Sequence, residues 1–129
     1  MNINLLAVLA AGIINMVVGM LWYGPLFGKQ WMALSGHVPQ KHKGMGKMYL
    51  IGFIGALVMA YVMSYLIGLA GAETFMAGLQ VAFWAWLGFT ATVELGSVLW
   101  DRKPWALFYL NAGYYLVVMG LMGGVIAIW

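Results

Sequence analysis

The chain has 129 residues, of which 65% are hydrophobic and only 7% are charged, and its mean hydropathy is +0.95. This composition lies far outside the range of soluble globular domains and predicts an integral membrane protein. The absence of cysteine excludes disulfides, thiolate metal sites and a cysteine nucleophile. The net charge of +3 could suggest a nucleic-acid partner. The positions of the basic residues instead indicate that this charge determines how the chain is oriented in the membrane.

Apolar runs long enough to cross a bilayer recur along the whole chain. A spanning helix needs about 20 mostly apolar residues, and polar residues separate runs of that length here. We predict spans at about residues 3–22, 48–70, 75–99 and 105–128. The fold class expected is therefore an all-α membrane protein, in which residues 1–129 form a single transmembrane domain and four helices pack as an antiparallel bundle.

The basic residues are confined to two predicted loops, one after the first span and one after the third. They are Lys29, Lys41, Lys43, Lys47, Arg102 and Lys103. Short loops that are rich in Lys and Arg stay in the cytoplasm. We therefore expect a multi-pass protein of the inner cell membrane, with both termini outside and both basic loops cytoplasmic, including the long loop 23–47.

The first span carries Gly12, Asn15 and Gly19 on one stripe, because offsets of three and four residues share a helix face. Small residues on such a stripe allow helices to pack closely in lipid. The span closes with Trp22-Tyr23-Gly24-Pro25, where the aromatic rings suit the membrane interface and the last two residues stop a helix. The segment 26–34 that follows has the pattern of a short helix lying in the inner interface.

This region resembles a known family. The resemblance rests on the stretch Gly19-x-x-Trp22-Tyr23-Gly24-Pro25-Leu26-Phe27-Gly28-Lys29-x-Trp31, on four spans, and on the late Glu94 and Asn111-Ala112-Gly113-Tyr114. Together these features look like the small bacterial membrane proteins grouped as domain of unknown function 1761, and the likeness covers nearly the whole chain. It implies a four-span membrane protein. It brings no established activity, so no catalytic residue is carried over from it.

Two of the remaining spans carry stripes of small residues that predict helix packing. The stripe on span two is Gly52, Ala56, Ala60, Ser64 and Gly68. The stripe on span four is Gly113, Gly120 and Gly124, nearly opposite to the polar face of that helix. We expect the second stripe to contact another protomer of a homo-oligomer, with packing against span two as the alternative.

Glu94 is the only acidic or basic side chain inside a predicted span and away from its ends. A charged carboxylate at the bilayer centre costs about 2.5–3.5 kcal/mol on insertion scales, so it needs a proton, hydrogen bonds, water or a cation. Helical rise places amides of spans one and four at a similar depth. We predict a polar layer, open toward the cytoplasm, that holds a ligand or an ion. Its residues are Glu94, Asn111, Asn15, Thr90 and Tyr115.

Three functions are compatible with this pattern. The favoured one is a homo-oligomer that binds or conducts a small polar or cationic species, such as a proton, through the Glu94 layer. In the alternative, the layer is a structural clamp, and the protein is a structural or accessory subunit that docks on partners through its glycine-rich helix faces. An enzyme acting on lipid ranks last, because the sequence offers no catalytic nucleophile, metal site or cofactor site. The partners expected are the lipid bilayer, further copies of the chain and a small polar solute or proton, but no nucleic acid.

Overall fold

A computed structural model describes residues 3–36 and 45–129, and every regular element within these ranges is helical. In this part of the chain, four helices are long and apolar enough to cross a membrane. They are span one, Leu5–Leu26, span two, Gly46–Ala70, span three, Phe75–Leu99, and span four, Trp105–Ile128. Their packing against one another confirms the predicted all-α membrane fold. Lys41 and Lys43 of the predicted cytoplasmic loop lie outside the described residues.

Span one consists of α1, Leu5–Leu21, and a π-helical turn, Trp22–Leu26. The side chain of Asn4 caps α1 by accepting hydrogen bonds from the backbone N–H groups of Leu6 and Ala7, at 3.0 and 3.2 Å. Gly24, with φ −109° and ψ −106°, breaks the regular helix within the turn. The short helix predicted for segment 26–34 is α2, Gly28–Ser35, and it ends at Gly36, whose φ of 71° suits glycine.

Span two is α3, Met45–Ala70, and a tight turn leads from it into span three. Span three contains α4, Phe75–Ala85, a π-helical segment, Trp86–Ala91, and α5, Thr92–Leu99. The hydroxyl of Thr74 caps α4 by accepting a hydrogen bond from the N–H of Ala77 at 3.1 Å. The π-helical segment lies in the middle of the span, where it changes the rotation of the residues that follow relative to a continuous α-helix.

Span four is α6, Trp105–Ile128, and it is the central helix of the bundle. In its most apolar stretch 44% of the residues are buried, compared with 17–22% in the other three spans. It packs against α1, α3 and α4, and α1 also packs against α3. Val118 and Met122 of α6 are fully buried at the centre of the core. Residues on several sides of this helix therefore determine how the spans fit together.

The closest approach between α4 and α6 occurs where Gly78 faces Gly123. A Cβ atom placed on Gly78 would collide with the carbonyl oxygen of Gly123, and one placed on Gly123 would lie 2.8 Å from the carbonyl oxygen of Gly78. Ala82 and Ala127 flank this crossing. The two backbones thus touch, which is the packing that small residues four positions apart permit in membrane helices. In the sequence, the four-residue spacings Gly78-x-x-x-Ala82 and Gly123-x-x-x-Ala127 are the pattern that favours this close packing.

The stripe of small residues on α3 packs only in its middle. Ala56 and Ala60 are buried, Ser64 is half-buried, and Gly52 and Gly68 at the two ends are exposed. The neighbouring α1 covers the centre of this stripe, where Gly12 faces the side chain of Leu57.

The glycines on α6 have their nearest neighbours within the chain in spans one and three, and not in span two; Gly124 is buried, whereas Gly113 and Gly120 are half-buried. A Cβ atom built on Gly113 would lie 3.6 Å from Trp22, and one built on Gly120 would lie 3.3 Å from Leu79. A Cβ atom built on Gly124 would lie 2.5 Å from Phe75. The physical reason is that α6 packs against span one on one side and against α4 on the other. The expected contact of this stripe with a second protomer stays a prediction.

Candidate polar site within the membrane

The end of span one and the first half of span four are joined through Tyr23 and Asn111. The hydroxyl of Tyr23 donates a hydrogen bond to Oδ1 of Asn111 at 2.7 Å. Tyr23 is presented by the π-helical turn, which is closed by a 2.8 Å hydrogen bond from the N–H of Phe27 to the carbonyl oxygen of Trp22. Gly28 is needed here because a Cβ atom would lie 2.7 Å from the carbonyl oxygen of Tyr23. The glycines and proline of the motif thus shape the turn that positions this tyrosine.

A second amide, Asn15, lies among spans one, two and four. The hydroxyl of Tyr114 is 3.1 Å from Oδ1 of Asn15 and 3.2 Å from its backbone carbonyl oxygen, and it donates to this pair of acceptors. The Nδ2 group of Asn15 donates to the sulfur atoms of Met59 and Met122 at 3.5 and 3.6 Å. Gly19 leaves room for this arrangement, since a Cβ atom there would be 3.1 Å from the Tyr114 hydroxyl. Asn15 therefore finds its hydrogen-bond partners within the bundle.

The two amides are connected by packed tyrosine rings. The ring centroids of Tyr23 and Tyr114 are 5.1 Å apart, and those of Tyr114 and Tyr115 are 4.9 Å apart. Trp31 of α2 packs edge-on against Tyr23 at 5.5 Å, so the short helix closes one side of the group. We call Asn15, Tyr23, Asn111, Tyr114 and Tyr115 the tyrosine–amide cluster.

Glu94 lies at the edge of the tyrosine–amide cluster and is half-buried. Its charge is within electrostatic range of the hydroxyl groups of Tyr23 and Tyr115. Across residues 3–36 and 45–129 its carboxylate forms no hydrogen bond and no ion pair, whereas its backbone carbonyl oxygen accepts a 2.7 Å hydrogen bond from Ser97. The carboxylate is thus free to take a ligand or a proton while tyrosine hydroxyls lie nearby.

Thr90 is bound elsewhere. It lies in the π-helical segment of span three, and its hydroxyl donates to the sulfur of Met119 at 3.5 Å. In the same segment the indole N–H of Trp86 donates to the carbonyl oxygen of Ala112 at 2.8 Å. Trp22 makes the equivalent bond from span one, to the carbonyl oxygen of Leu110 at 3.2 Å. These tryptophans hold the polar part of α6 between spans one and three.

The structure brings the predicted layer together only in part. Tyr115 is within electrostatic range of Glu94, and the tyrosine–amide cluster connects Asn15 with Asn111, but neither amide hydrogen-bonds Glu94. Sequence reasoning missed the two residues that make these connections, Tyr23 and Tyr114. Both lay within the quoted motifs, and Tyr114 follows Asn111 by three residues, so the two share a helix face.

The chemistry available is that of one carboxylate beside phenol hydroxyls. Among the described residues, no group of three or more histidine, aspartate or glutamate side chains could hold a metal ion, and no buried side-chain polar atom is left without a partner. A carboxylate in this setting can bind a cation, accept hydrogen bonds from a polar solute, or exchange a proton.

Comparison with curated proteins and with solved structures gave no match. A protein-family model does match, over residues 6–127, and its description is protein of unknown function (DUF1761). The match covers nearly the whole chain and confirms the resemblance seen in the motifs of spans one, three and four. The chain, with its four candidate membrane spans, therefore belongs to the DUF1761 family.

Proposed function

We propose that the protein is a homo-oligomer that binds or conducts a small polar or cationic species at Glu94. The observation that supports this is a half-buried carboxylate, inside a span, that lacks a hydrogen-bond or ion-pair partner among residues 3–36 and 45–129. Ionisable groups within a span are costly and usually serve a pathway for ions, protons or solutes. The neighbouring hydroxyls of Tyr23 and Tyr115 could help to hold such a species.

A cation or a proton is the species that the charge distribution favours. The basic residues that the structure describes are exposed and lie outside the central parts of the spans; they are Lys29, Lys47, Arg102 and Lys103. No basic side chain of this set neutralises the carboxylate of Glu94. In a low-dielectric setting, a bound cation or a proton supplies the missing compensation.

We also propose that the protein lies in the inner cell membrane, with both termini outside and the basic loops cytoplasmic. The turn between spans three and four, with Arg102 and Lys103, supports this orientation, because the turn before Phe75 contains no basic residue. The absence of native cysteine permits a direct test. A membrane-impermeant maleimide should label a Glu73→Cys variant in intact cells and label Asp101→Cys only after permeabilisation. The reverse pattern would overturn the orientation.

The proposed activity is tested by Glu94→Gln, which keeps the shape of the side chain but removes its charge. Purified protein is placed in liposomes, and fluxes of protons, sodium, potassium and tetramethylammonium are measured separately. For at least one of these cations, we expect a higher flux into liposomes with native protein than into empty liposomes. We expect Glu94→Gln to lower that flux at least tenfold. The control is Glu73→Gln, an exposed carboxylate in the outer turn, which should keep it. Native flux equal to that of empty liposomes for all four would overturn the conducting role.

A second candidate function is a structural or accessory subunit that docks on partner proteins. It is favoured by the complete pairing of Asn15, which ties spans one, two and four together as a clamp would. Gly124 of the α6 stripe is buried against Phe75, whereas Gly113 and Gly120 are half-buried and leave part of the stripe for a docking partner. In this case Glu94→Gln would leave cation flux and complex formation unchanged, and a partner would be recovered with both native and variant protein.

A further inference from the structure

Span three presents an outward face that no other part of the described chain covers. It has the smallest buried share of the four spans, 17%. Met76, Gln80, Trp84 and Gly88 follow one another at four-residue intervals on this face and are all exposed. The π-helical segment, which begins at Trp86, takes more residues per turn than an α-helix, so it keeps Gly88 aligned with the residues before it. We call these four residues the outward face.

Two polar groups on the outward face have no partner within residues 3–36 and 45–129. The carboxamide of Gln80 and the indole N–H of Trp84 make no hydrogen bond in these ranges, and the Trp84 ring only packs edge-on against Phe83 at 5.4 Å. At about 1.5 Å per residue, Gln80 lies about 8 Å and Trp84 about 14 Å from Phe75 at the outer end of span three. Lipid tails cannot hydrogen-bond these groups, and tryptophan normally lies at the membrane interface instead. Another protein surface would satisfy them.

We infer that two copies of this chain associate through the outward face of span three. A carboxamide is both a donor and an acceptor, so Gln80 can pair with Gln80 of a second copy across a two-fold axis. Gly88 has open space where a side chain would be, which lets the backbones of two such helices approach. The glycine stripe of α6 is less exposed than the outward face, because Gly124 is buried and Gly113 and Gly120 are half-buried.

This inference gives a contact surface to the homo-oligomer in the proposed function, and it does not depend on the activity of Glu94. The outward face and the Glu94 carboxylate are separate features of span three. The proposed dimer contact can therefore fail while the proposed role of Glu94 holds, and the reverse. Cross-linking tests the first, and cation flux tests the second.

Cross-linking through single cysteines tests the contact, since the native chain has none. Met76→Cys reports on the outward face, and Leu6→Cys is the matched control. Each residue is the second of its helix, and the two spans run in the same direction. Met76 is 64% exposed and Leu6 is 62% exposed. In native membranes treated with a copper oxidant, we expect Met76→Cys to form disulfide-linked dimers and Leu6→Cys to remain monomeric. Equal cross-linking of both, or none of Met76→Cys, would overturn the inference.

A second substitution tests the role of Gln80 itself. In the Met76→Cys background, Gln80→Leu removes two symmetry-related hydrogen bonds, and we expect it to weaken dimerisation about sevenfold. Energy transfer between copies that carry fluorophores at the C-terminus, diluted into excess lipid, measures the dimerisation constant. An unchanged constant would overturn the pairing of the two amides. Glu94→Gln in the Met76→Cys background should leave cross-linking unchanged. If it lowers cross-linking, the dimer contact is not independent of Glu94.

Discussion

The 2.7 Å hydrogen bond from the Tyr23 hydroxyl to Oδ1 of Asn111 ties the last turn of span one to span four. It exists because the chain leaves regular α-helix just after Leu21, so that Tyr23 turns toward α6. The same turn brings the Tyr23 ring against Tyr114 and its hydroxyl within electrostatic range of Glu94. One local change in helix type thus assembles most of the candidate site.

Tyr23→Phe removes this hydrogen bond and keeps the ring packing. We expect a loss of about 1 kcal/mol in the free energy of unfolding, at most, because hydrogen bonds between membrane helices average about 0.6 kcal/mol. Reversible unfolding in mixed micelles measures this difference. Tyr61→Phe is the control. Because Tyr61 is exposed on α3, this substitution should leave the free energy of unfolding unchanged. Equal effects from both substitutions would contradict a specific role for Tyr23.

Tyr114→Phe leaves Oδ1 of Asn15 without its donor, whereas the carbonyl oxygen of Asn15 keeps its bond within α1. We expect destabilisation of about 1–2 kcal/mol, more than for a simple lost bond, because Oδ1 is left unpaired within the bundle. A double-mutant cycle with Asn15→Leu measures the coupling in the same unfolding assay. The coupling energy should be at least about 0.5 kcal/mol, which is the lower range for residues in contact. Strictly additive effects would show that the bond contributes nothing.

Gly78→Leu should prevent α4 from packing on α6, because even a Cβ atom at this position would meet the carbonyl oxygen of Gly123. We expect a large loss of folded protein, measured as the monodisperse fraction in size-exclusion chromatography after detergent extraction. Gly55→Leu is the matched control, because Gly55 of α3 has open space at its Cβ position. A normal yield of Gly78→Leu would disprove the close crossing of the two helices.

Gly28→Ala tests whether the start of α2 positions Tyr23. The added Cβ atom would lie 2.7 Å from the carbonyl oxygen of Tyr23, so the π-helical turn has to shift. We expect a cost of about 1–3 kcal/mol, typical of overpacking, together with a loss of whatever cation flux the native protein supports. Gly46→Ala, where no neighbour lies within 4 Å, should change neither quantity. Retained stability and flux in Gly28→Ala would show that the turn tolerates a side chain.

The polar residues inside the spans could be identified from the sequence, whereas their partners could not. Counting residues from the turn between spans three and four predicts that Glu94 and Asn111 lie at a similar depth, and this stays a prediction. Neither amide hydrogen-bonds Glu94: the carboxamide oxygen of Asn111 accepts from Tyr23, and that of Asn15 accepts from Tyr114. The π-helical segments change the rotation of the chain; Gly24-Pro25 predicted a break at the first, and no residue pattern predicted the second.

The sequence by itself determined the four apolar helices, the short helix after the first, and the family. These properties depend on hydropathy, on length and on local motifs, all of which can be read along one segment. Only the tertiary structure decided that α6 is central, that its glycines face Phe75, Leu79 and Trp22, and that Tyr114 links Asn15 to the cluster. These relationships depend on how each helix is rotated about its axis and on which helix is its neighbour, and both are set by packing between segments that are distant in the chain.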